Sequence, residues 1–461
     1  MRAHEAGALH GELGNRGPHW LRTPDDVNAL VPELWPRTVA RGAGGALEVA
    51  GLGVDEIRER FGTPAYVLDE DDLRARAREF RAAFAGQDVY YAGKAFLCRA
   101  VVRAIAEEGL FLDVCTGGEL ATALSAGMPP ERIGFHGNNK SVSELERAVA
   151  AGVGRIVVDS FDEIDRLTAV ARRENIRQPV LVRVTVGVEA HTHEFIATAH
   201  EDQKFGFSLA GGAAFKAVGK ILDDDVLDLR GLHSHIGSQI FDASGFEVAA
   251  RRVLSLQAQV RDARGVELPE IDLGGGFGIA YTTQDDPQTP AELAERMNKI
   301  VEDECDALHL AKPRLSVEPG RAIVGPAMFT LYEVGTVKDV DGLRTYVSVD
   351  GGMSDNIRTA LYDASYSATV ASRASAAEPI LARVVGKHCE SGDIVVKDEF
   401  LPADVQPGDL LAVPGTGAYC RSMASNYNHV PRPPVVAVRD GQARVIVRRE
   451  TEADLLALDV G

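Results

Sequence analysis

The sequence has little that would point to a membrane, to nucleic acid or to a disulfide framework. Its 461 residues include five cysteines, odd in number and widely spaced. This usage is typical of reduced thiols in a cytoplasmic protein and argues against a disulfide scaffold. No C-x-x-C pair occurs, so a structural zinc site is not expected. The formal net charge of −19 argues against a nucleic-acid partner, because phosphate binding requires a basic surface.

Long hydrophobic runs are missing as well. No stretch approaches the ~18 apolar residues of a membrane span, and the first twenty residues lack the apolar core of a signal peptide. The composition, 45% hydrophobic and 25% charged, is that of ordinary globular domains. The length suggests two or three such domains, and we expect no membrane partner.

The middle of the chain repeats one pattern eight times, a short apolar run followed by a helix-like segment. The runs are VYYAGKAF from Val89, LFLDVCT from Leu110, RIGFHGNN from Arg132, RIVVDS from Arg155, VLVRVTV from Val180, LRGLHSHIG from Leu229, EIDLGGGFG from Glu270 and RLSVEPGR from Arg314. Equivalent points in the first four runs lie 22 residues apart. Alternating strands and helices predict a parallel sheet. Eight units across residues 68–326 favour a (β/α)8 TIM-like barrel, whose usual size is about 250 residues, over an open doubly wound sheet.

The texture changes after residue 326. Residues 327–461 hold β-branched runs separated by turn signals, and Arg439-Asp440-Gly441-Gln442 is typical of a hairpin. We predict a C-terminal all-β domain here, a small barrel or a sandwich. Residues 1–67 are expected to pack against it as an N-terminal segment.

Polar residues and glycines collect where the barrel strands should end. In a TIM-like barrel this end carries the active site. The residues concerned are Lys94, Asp113, His136-Gly137-Asn138, Asp159-Ser160, His233, His235, Gly274-Gly275-Gly276 and Glu318-Pro319-Gly320-Arg321. A lysine between an aromatic run and Phe96 is a candidate for a lowered pKa and Schiff-base chemistry, although a strand-capping surface lysine would look the same.

Two of these strand ends suggest a cofactor. The glycines at 274–276 follow the seventh strand and Arg321 follows the eighth, where barrel phosphate sites are commonly built. A phosphate site together with a reactive lysine predicts pyridoxal 5′-phosphate, which also requires a carboxylate at its pyridine nitrogen. Glu318 is the candidate for that carboxylate. His235 either faces the cofactor ring or is a hydrogen-bonded core histidine.

Other candidate groups remain open from the residues alone. His191 and His193 resemble a metal pair, but no third ligand stands at suitable spacing, so no metal is expected. Cys389 follows His388 and is an acid, a nucleophile or a buried thiol. Arg358 and Tyr362 would share one helix face, and Tyr419 lies in a glycine-rich loop of the kind that often carries function.

In combination, several motifs resemble the diaminopimelate decarboxylases, which have the alanine-racemase-like fold. The motifs are YAGKAF, HGNNKS, HSHIGSQ, DLGGGFG, EPGR, DGGMSDNIR, CESGD and GAYCRSMASNYN, and they run from about residue 60 to the C-terminus. The resemblance implies decarboxylation of meso-2,6-diaminopimelate to L-lysine. It also implies a homodimer whose active sites lie at the subunit interface.

The resemblance further implies roles for individual residues. Lys94 forms the Schiff base with the cofactor, and Cys389, from the partner chain, returns the proton. The cofactor-binding set is Lys94, Asp113, His235, Ser238, Gly275, Gly276, Glu318, Gly320, Arg321 and Tyr419. The substrate-binding set is Arg321, Arg358, Tyr362, Tyr419 and, from the partner chain, Glu390.

Rival functions share parts of this pattern. A related decarboxylase acting on ornithine, arginine or carboxynorspermidine would keep the lysine, the glycines and EPGR, but CESGD resembles the diaminopimelate form. An amino-acid racemase needs a second base opposite Lys94. A non-catalytic carrier of the cofactor would not need the all-β domain, and an aldolase without the cofactor would leave the phosphate site unexplained. The segment from Val186 to Phe207 is unusually rich in histidine and acidic residues; a lid is one possible role.

Overall fold

A computed structural model describes residues 17–187, 203–340 and 343–461. The chain divides into two compact units. One comprises the residues up to Leu73 together with Ile279–Asp286 and Val324–Gly461, and the other comprises Arg74–Gly278 and Pro287–Ile323. The predicted domain boundaries after residues 67 and 326 stay a prediction. Among the described residues, no helix is long and apolar enough to cross a bilayer.

The N-terminal part forms a small antiparallel sheet and one strand that pairs elsewhere. Its elements are strands β1 (Ala40–Arg41), β2 (Leu47–Val49) and β3 (Leu52–Gly53), helix α1 (Val54–Phe61) and strand β4 (Ala65–Asp69). Leu34, Trp35, Leu47 and Val49 are buried in one apolar cluster with Phe329 of the C-terminal part. Residues between Leu34 and Val49 therefore contribute to the core of the β-rich unit.

The predicted barrel is confirmed. Its strands are β5 (Asp88–Ala92), β6 (Phe111–Val114), β7 (Ile133–Phe135), β8 (Arg155–Val158), β9 (Gln178–Thr185), β11 (Leu227–His233), β12 (Glu270–Asp272) and β13 (Arg314–Val317), with the short β10 (Phe207–Ser208) beside β9. They are parallel, and pairing of β8 with β9 closes the ring. Each of the eight predicted runs overlaps one barrel strand.

Helices alternate with these strands. They are α2 (Glu70–Ala83), α3 (Arg99–Glu107), α4 (Gly117–Ser125), α5 (Val142–Ala151), α6 (Phe161–Glu174), α7 (Ala213–Leu222), α8 (Ser244–Arg264) and α9 (Pro290–Leu308). Local chemistry explains several of their starts. Ser141 with Glu144, and Thr289 with Glu292, form capping boxes that satisfy backbone N–H groups at the first turns of α5 and α9.

The β-rich unit contains one nine-stranded sheet in which β4 lies between two late strands. Helix α10 (Arg321–Val324) leads from the barrel unit into this part of the chain. The elements that follow it are β14 (Met328–Val340), β15 (Arg344–Val349), α11 (Arg358–Tyr362), β16 (Thr369–Val370), β17 (Pro379–Val385), β18 (Ile394–Pro402), β19 (Leu410–Pro414), β20 (Val435–Arg439), β21 (Gln442–Val447) and α12 (Glu452–Leu456). Strand β4 pairs with β14 and β20. Asp440 and Gly441 join β20 to β21 with positive φ angles of 50° and 69°, as the predicted hairpin requires. Strand β18 was not predicted.

A buried ion pair fixes the loop that follows β7. The side chains of Lys140 and Glu163 are each 1% exposed, and Lys140 Nζ lies 2.7 Å from Glu163 Oε1. The same amine donates to the carbonyl oxygens of Gly137, at 2.6 Å, and Val157, at 2.9 Å. The backbone N–H of Asp159 donates to the other Glu163 oxygen at 3.0 Å. Lys140 therefore connects the loop after β7 to strand β8 and helix α6, and through Gly137 it anchors the segment that carries His136.

We predict that Lys140→Met lowers the free energy of unfolding by about 3–5 kcal/mol, because removing one partner leaves a buried charge uncompensated. The double variant Lys140→Met/Glu163→Leu should be clearly more stable than the single variant, since neither charge is then stranded. Guanidinium unfolding of the cofactor-free protein, followed by circular dichroism, measures both.

The matched control is the exposed pair Lys299–Asp303 on helix α9, whose side chains are 73% and 62% exposed. Lys299→Met should change stability little, because exposed pairs are weak. A Lys140→Met protein as stable as this control would contradict the prediction.

Candidate active site

Six neighbouring barrel strands bring their carboxyl ends to one place. Around the ring the order is β11, β12, β13, β5, β6 and β7. The residues at or just after these ends are His233, Gly274-Gly275-Gly276, Glu318, Lys94, Asp113 and His136. Parallel pairing alone makes neighbours of groups that are far apart in sequence, as the prediction from strand ends required.

Lys94 lies two residues after β5, on the turn that leaves the strand. Its side chain is 39% exposed, and its Nζ is 3.9 Å from Asp113 Oδ2. Asp113 is buried, and burial, reinforced by Glu318, raises its pKa well above the ordinary value. The lysine amine thus faces a polar cluster and remains reachable from solvent, as a nucleophile that binds an aldehyde must be.

Glu318 is the centre of this cluster. It is 3% exposed, and its Oε1 lies 3.0 Å from His233 Nε2 and 3.1 Å from His136 Nε2. Burial by itself would raise the pKa of Glu318, but His136, His233 and Lys94 outweigh burial and hold that pKa well below its ordinary value. Glu318 is therefore an ionised carboxylate inside the barrel, as a partner for a protonated ring nitrogen must be.

The glycines after β12 form a cradle that side chains would fill. A Cβ on Gly275 would lie 2.2 Å from the carbonyl oxygen of Glu318, and one on Gly276 would lie 2.3 Å from that of Gly237. Gly276 also has a φ of +103°. The N–H of Gly275 donates to His235 Nδ1 at 3.2 Å, which ties the loop to the half-buried His235.

Arg321 and Ser238 provide the remaining anion donors. Arg321 is buried, and its Nη2 donates to Ser238 Oγ at 2.7 Å. Gly320 packs so closely on β5 that an added Cβ would lie 2.7 Å from Ala92. A glycine cradle, a guanidinium, a serine hydroxyl, a lysine amine and an ionised carboxylate in one barrel mouth fit pyridoxal 5′-phosphate.

Sequence reasoning left three charged or polar groups of this cluster without a role. His136 and His233 were noted at strand ends but were not assigned to the site. Arg183 was missed; it is 9% exposed on β9, with Nη1 3.8 Å from Asp159 Oδ2. Its signal was present, since an arginine within the apolar run VLVRVTV must be paired when buried.

In the β-rich unit, Arg358 begins helix α11 and is buried. Its guanidinium carbon lies 4.6 Å from the centre of the Tyr281 ring and 5.6 Å from that of Tyr366, and Arg358 donates a hydrogen bond to the Tyr366 hydroxyl. Stacking on two aromatic rings fixes the planar guanidinium in one orientation. Tyr362, one turn further along, is half-buried.

Cys389 and Glu390 are exposed on the turn between β17 and β18. The N–H of Cys389 donates to Asn428 Oδ1 at 3.3 Å, while the buried His388 contacts Ser354 Oγ at 2.8 Å. Because the buried His388 fixes the turn, the adjacent Cys389 thiol lies at the surface of its unit.

Tyr419 is half-buried with a φ of +66°. This value is unusual for a residue other than glycine and often marks a functional loop.

The other histidine pair cannot be placed. His191, His193 and most of the segment between Val186 and Phe207 lie outside the described residues.

We predict that Gly276→Ala weakens binding of pyridoxal 5′-phosphate by about tenfold or more, because strained backbone positions cost on the order of 1–3 kcal/mol each and the new methyl group would also meet the Gly237 carbonyl. Fluorescence titration of the cofactor-free protein measures the dissociation constant.

The matched control is Gly265→Ala, at the end of helix α8. Gly265 also has a positive φ, +68°, but nothing lies within 4 Å of the added Cβ. It should lower stability and leave cofactor affinity unchanged. Equal affinities in the two variants would show that the cradle does not hold the phosphate.

Comparison with known proteins agrees with this geometry. A family model described as "Pyridoxal-dependent decarboxylase, pyridoxal binding domain" matches residues 70–325. The chain is similar to the diaminopimelate decarboxylase of Mycobacterium tuberculosis (strain ATCC 25618 / H37Rv), with 60% identity over 440 residues that cover 94% of this chain and 98% of the relative. It is 56% identical over 471 residues to that of Mycobacterium leprae (strain TN), covering 100% of both.

A solved structure gives the same result. The diaminopimelate decarboxylase of M. jannaschii, in co-complex with L-lysine, matches with a TM-score of 0.87 and 32% identity over 93% of this chain and 99% of that one. The chain thus has the barrel, the lysine and the carboxylate of the site, and its sequence matches such enzymes over nearly its whole length. The chain belongs to the diaminopimelate decarboxylase family.

Proposed function

We propose that the protein is a carboxy-lyase that converts meso-2,6-diaminopimelate to L-lysine and CO2, the last step of lysine biosynthesis, with pyridoxal 5′-phosphate as cofactor. The observation that carries this proposal is the convergence of Lys94, Glu318 and the glycine cradle at adjacent strand ends. The substrate follows from the names of the relatives. The solved relative in co-complex with L-lysine is consistent with that product.

The residues of the barrel mouth divide the work of holding the cofactor. When bound, pyridoxal 5′-phosphate supplies the electron sink that decarboxylation requires. Gly275 and Gly276 form the glycine cradle for its phosphate, to which Gly276 offers its backbone N–H. Arg321 and Ser238 offer a charged and a neutral donor to the same group. Lys94 binds its aldehyde carbon, and His235 faces its ring. Asp113 completes the cofactor-binding set; its Oδ2 lies 3.9 Å from Lys94 Nζ, beside the amine that binds the cofactor.

Glu318 keeps a proton on the ring nitrogen. Its carboxylate is ionised despite burial, since its pKa lies well below the ordinary value. A negative group in a low-dielectric site strongly stabilises a nearby cation. This electrostatic effect favours the protonated ring, which accepts electrons more readily than the neutral ring does.

The substrate-recognition roles remain proposals based on the family. Arg321 and Arg358 bind carboxylates of the substrate, and Tyr362, Glu390 and Tyr419 contact its polar groups. A guanidinium that is already oriented, as Arg358 is between Tyr281 and Tyr366, loses little freedom on binding a carboxylate.

Cys389 is proposed to return a proton to the carbon that loses CO2. Its exposed position on the turn after β17 suits a residue given to the active site of a second chain. We accordingly propose a homodimer with shared active sites. We also propose a cytoplasmic location, with which five cysteines that form no disulfide are consistent.

Decarboxylation of ornithine, arginine or carboxynorspermidine is the alternative. It would use the same barrel residues, and it differs in what the distal end of the substrate requires. A distal amino-acid group needs both a cation for its carboxylate and an anion for its amine, which Arg358 and Glu390 provide. A plain amine or guanidinium would leave the buried Arg358 without a use.

We predict that the purified protein with added cofactor releases CO2 from meso-diaminopimelate and yields lysine, and that Lys94→Ala abolishes release. The exposed Lys312→Ala should retain full turnover. Parallel assays with L-ornithine, L-arginine and L-lysine test specificity, and CO2 mainly from ornithine or arginine would reject the proposed substrate. Borohydride reduction followed by mass spectrometry should attach the cofactor to Lys94 in the parent and nowhere in Lys94→Ala.

We predict that Cys389→Ala reduces turnover by about a hundredfold or more, the usual contribution of a positioned proton donor. Cofactor affinity should persist, because Cys389 is not part of the barrel mouth. Lys387→Ala, on the same exposed turn, is the matched control and should behave as the parent. Unchanged turnover in Cys389→Ala would remove the thiol from its proposed role.

A further inference from the structure

Two imidazoles converge on one oxygen of Glu318. His233 is 1% exposed and His136 is 8% exposed. Their Nε2 atoms lie 3.0 Å and 3.1 Å from Glu318 Oε1, and their rings meet edge to face with centres 4.8 Å apart. Neither histidine has a role in the function proposed above.

The contacts of His233 fix its tautomer. In the described parts of the chain, its Nδ1 is buried and has no hydrogen-bond partner. A proton on Nδ1 would leave that N–H unsatisfied and would turn the Nε2 lone pair toward a carboxylate oxygen 3.0 Å away. With the proton on Nε2, the same contact becomes a charge-assisted hydrogen bond. His233 therefore donates Nε2–H to Glu318.

The protonation states around Glu318 agree with this arrangement. Burial lowers the pKa of His233 and lowers that of His136 further, which favours the neutral imidazole. A neutral His233 acts on Glu318 as a hydrogen-bond donor and not as a charge. The charged and titratable groups that act on this cluster are His136, His233, His235, Asp113, Asp272, Lys94 and Arg183. Asp113 and Asp272 are buried as well, and burial raises the pKa of both well above the ordinary value. An ionised Glu318 among them therefore depends on its hydrogen-bond donors.

We propose that His233 is a positioning residue, whose Nε2–H holds Glu318 ionised and orients it so that its second oxygen is directed to the ring nitrogen of the cofactor. His136 supports it by packing edge-on against the His233 ring and by facing the same carboxylate oxygen. This inference rests on the proposed function, because it assigns Glu318 to the cofactor. It adds that a neutral histidine, through its hydrogen bond to Glu318, favours the proton on the ring nitrogen of the cofactor.

A metal site is the competing interpretation of the same residues. His136, His233 and Glu318 each offer one ligand atom, and these atoms lie within 4.8 Å of one another. Two histidines and a glutamate are a known zinc-binding set. A metal there would occupy the carboxylate and both nitrogens, and would leave Glu318 unable to serve the cofactor.

The test compares His233→Phe with His233→Gln. Phenylalanine keeps the ring shape and loses the donor, whereas the glutamine amide N–H reaches nearly the position of Nε2–H. At pH 7 we expect the dissociation constant for pyridoxal 5′-phosphate to rise about tenfold or more in His233→Phe, the effect of losing a hydrogen bond to a charged group, and to stay within about threefold of the parent in His233→Gln.

The pH dependence gives a second readout with a definite sign. In the parent, the lowered pKa of Glu318 keeps the carboxylate ionised from pH 8 to pH 6, so cofactor affinity should change little. Without the donor, the pKa of Glu318 rises and its protonated form accumulates as the pH falls. Affinity in His233→Phe should therefore weaken further from pH 8 to pH 6, with a matching shift in the pH profile of the bound-cofactor absorbance.

Glu318→Gln provides the background that separates positioning from general damage. If His233 acts through Glu318, adding His233→Phe to Glu318→Gln should cause little further loss of affinity. Additive losses, or equal losses in His233→Phe and His233→Gln, would overturn the proposal. So would stoichiometric binding of Zn²⁺ by the cofactor-free parent that disappears in His233→Phe.

The two levels of inference fail in different ways. Absence of CO2 release from meso-diaminopimelate by the parent would reject the proposed substrate. The cofactor affinities and absorbance spectra of the His233 variants would still test the positioning role of His233. A normal parent enzyme with an unchanged His233→Phe cofactor affinity and spectrum would reject the positioning role alone.

Discussion

Closure of the parallel sheet is the constraint on which the site depends. Pairing of β8 with β9 completes a ring in which every strand points the same way. The first barrel strand, β5, therefore lies beside the last, β13. Lys94 and Glu318, more than two hundred residues apart in sequence, become neighbours because each follows one of these two strands. The cofactor chemistry needs this adjacency, and an open sheet would put the two residues at opposite edges.

Within the ring, several carboxylates are buried, yet Glu318 must stay ionised to serve the cofactor. Asp113, Asp272 and Glu318 are all buried. Burial raises the pKa of the first two, whereas Glu318 is held ionised by its neighbours. Lys94 and His136 face Asp113 as well as Glu318. The contact that distinguishes Glu318 is the one with His233, at 3.0 Å. The cavity thus assigns different charge states to chemically similar groups through what surrounds each of them.

Much of the barrel could be predicted from the sequence because each strand is a short apolar run that ends in polar residues or glycine. The cofactor also followed, since Lys94, Gly275 and Glu318 are chemically distinctive at strand ends. Strand β18 was not predicted because Lys397, Asp398 and Glu399 interrupt its apolar pattern. Their partners, among them Asp363 and Arg344, can be found only in the folded chain. Likewise, the part played by His233 depends on which of its nitrogens is satisfied, which no sequence pattern records.

Strand β4 has a consequence for the order in which the protein can fold. It is completed before the barrel in the sequence, yet its two partners, β14 and β20, follow the barrel. During synthesis, at roughly 5–20 residues per second, β4 leaves the ribosome long before Val435–Arg439 exist. All residues of the barrel unit are available earlier than that. One apolar strand of the β-rich sheet therefore stays unpaired through most of translation. We expect this sheet to be the part of the molecule that folds slowly and is prone to aggregate.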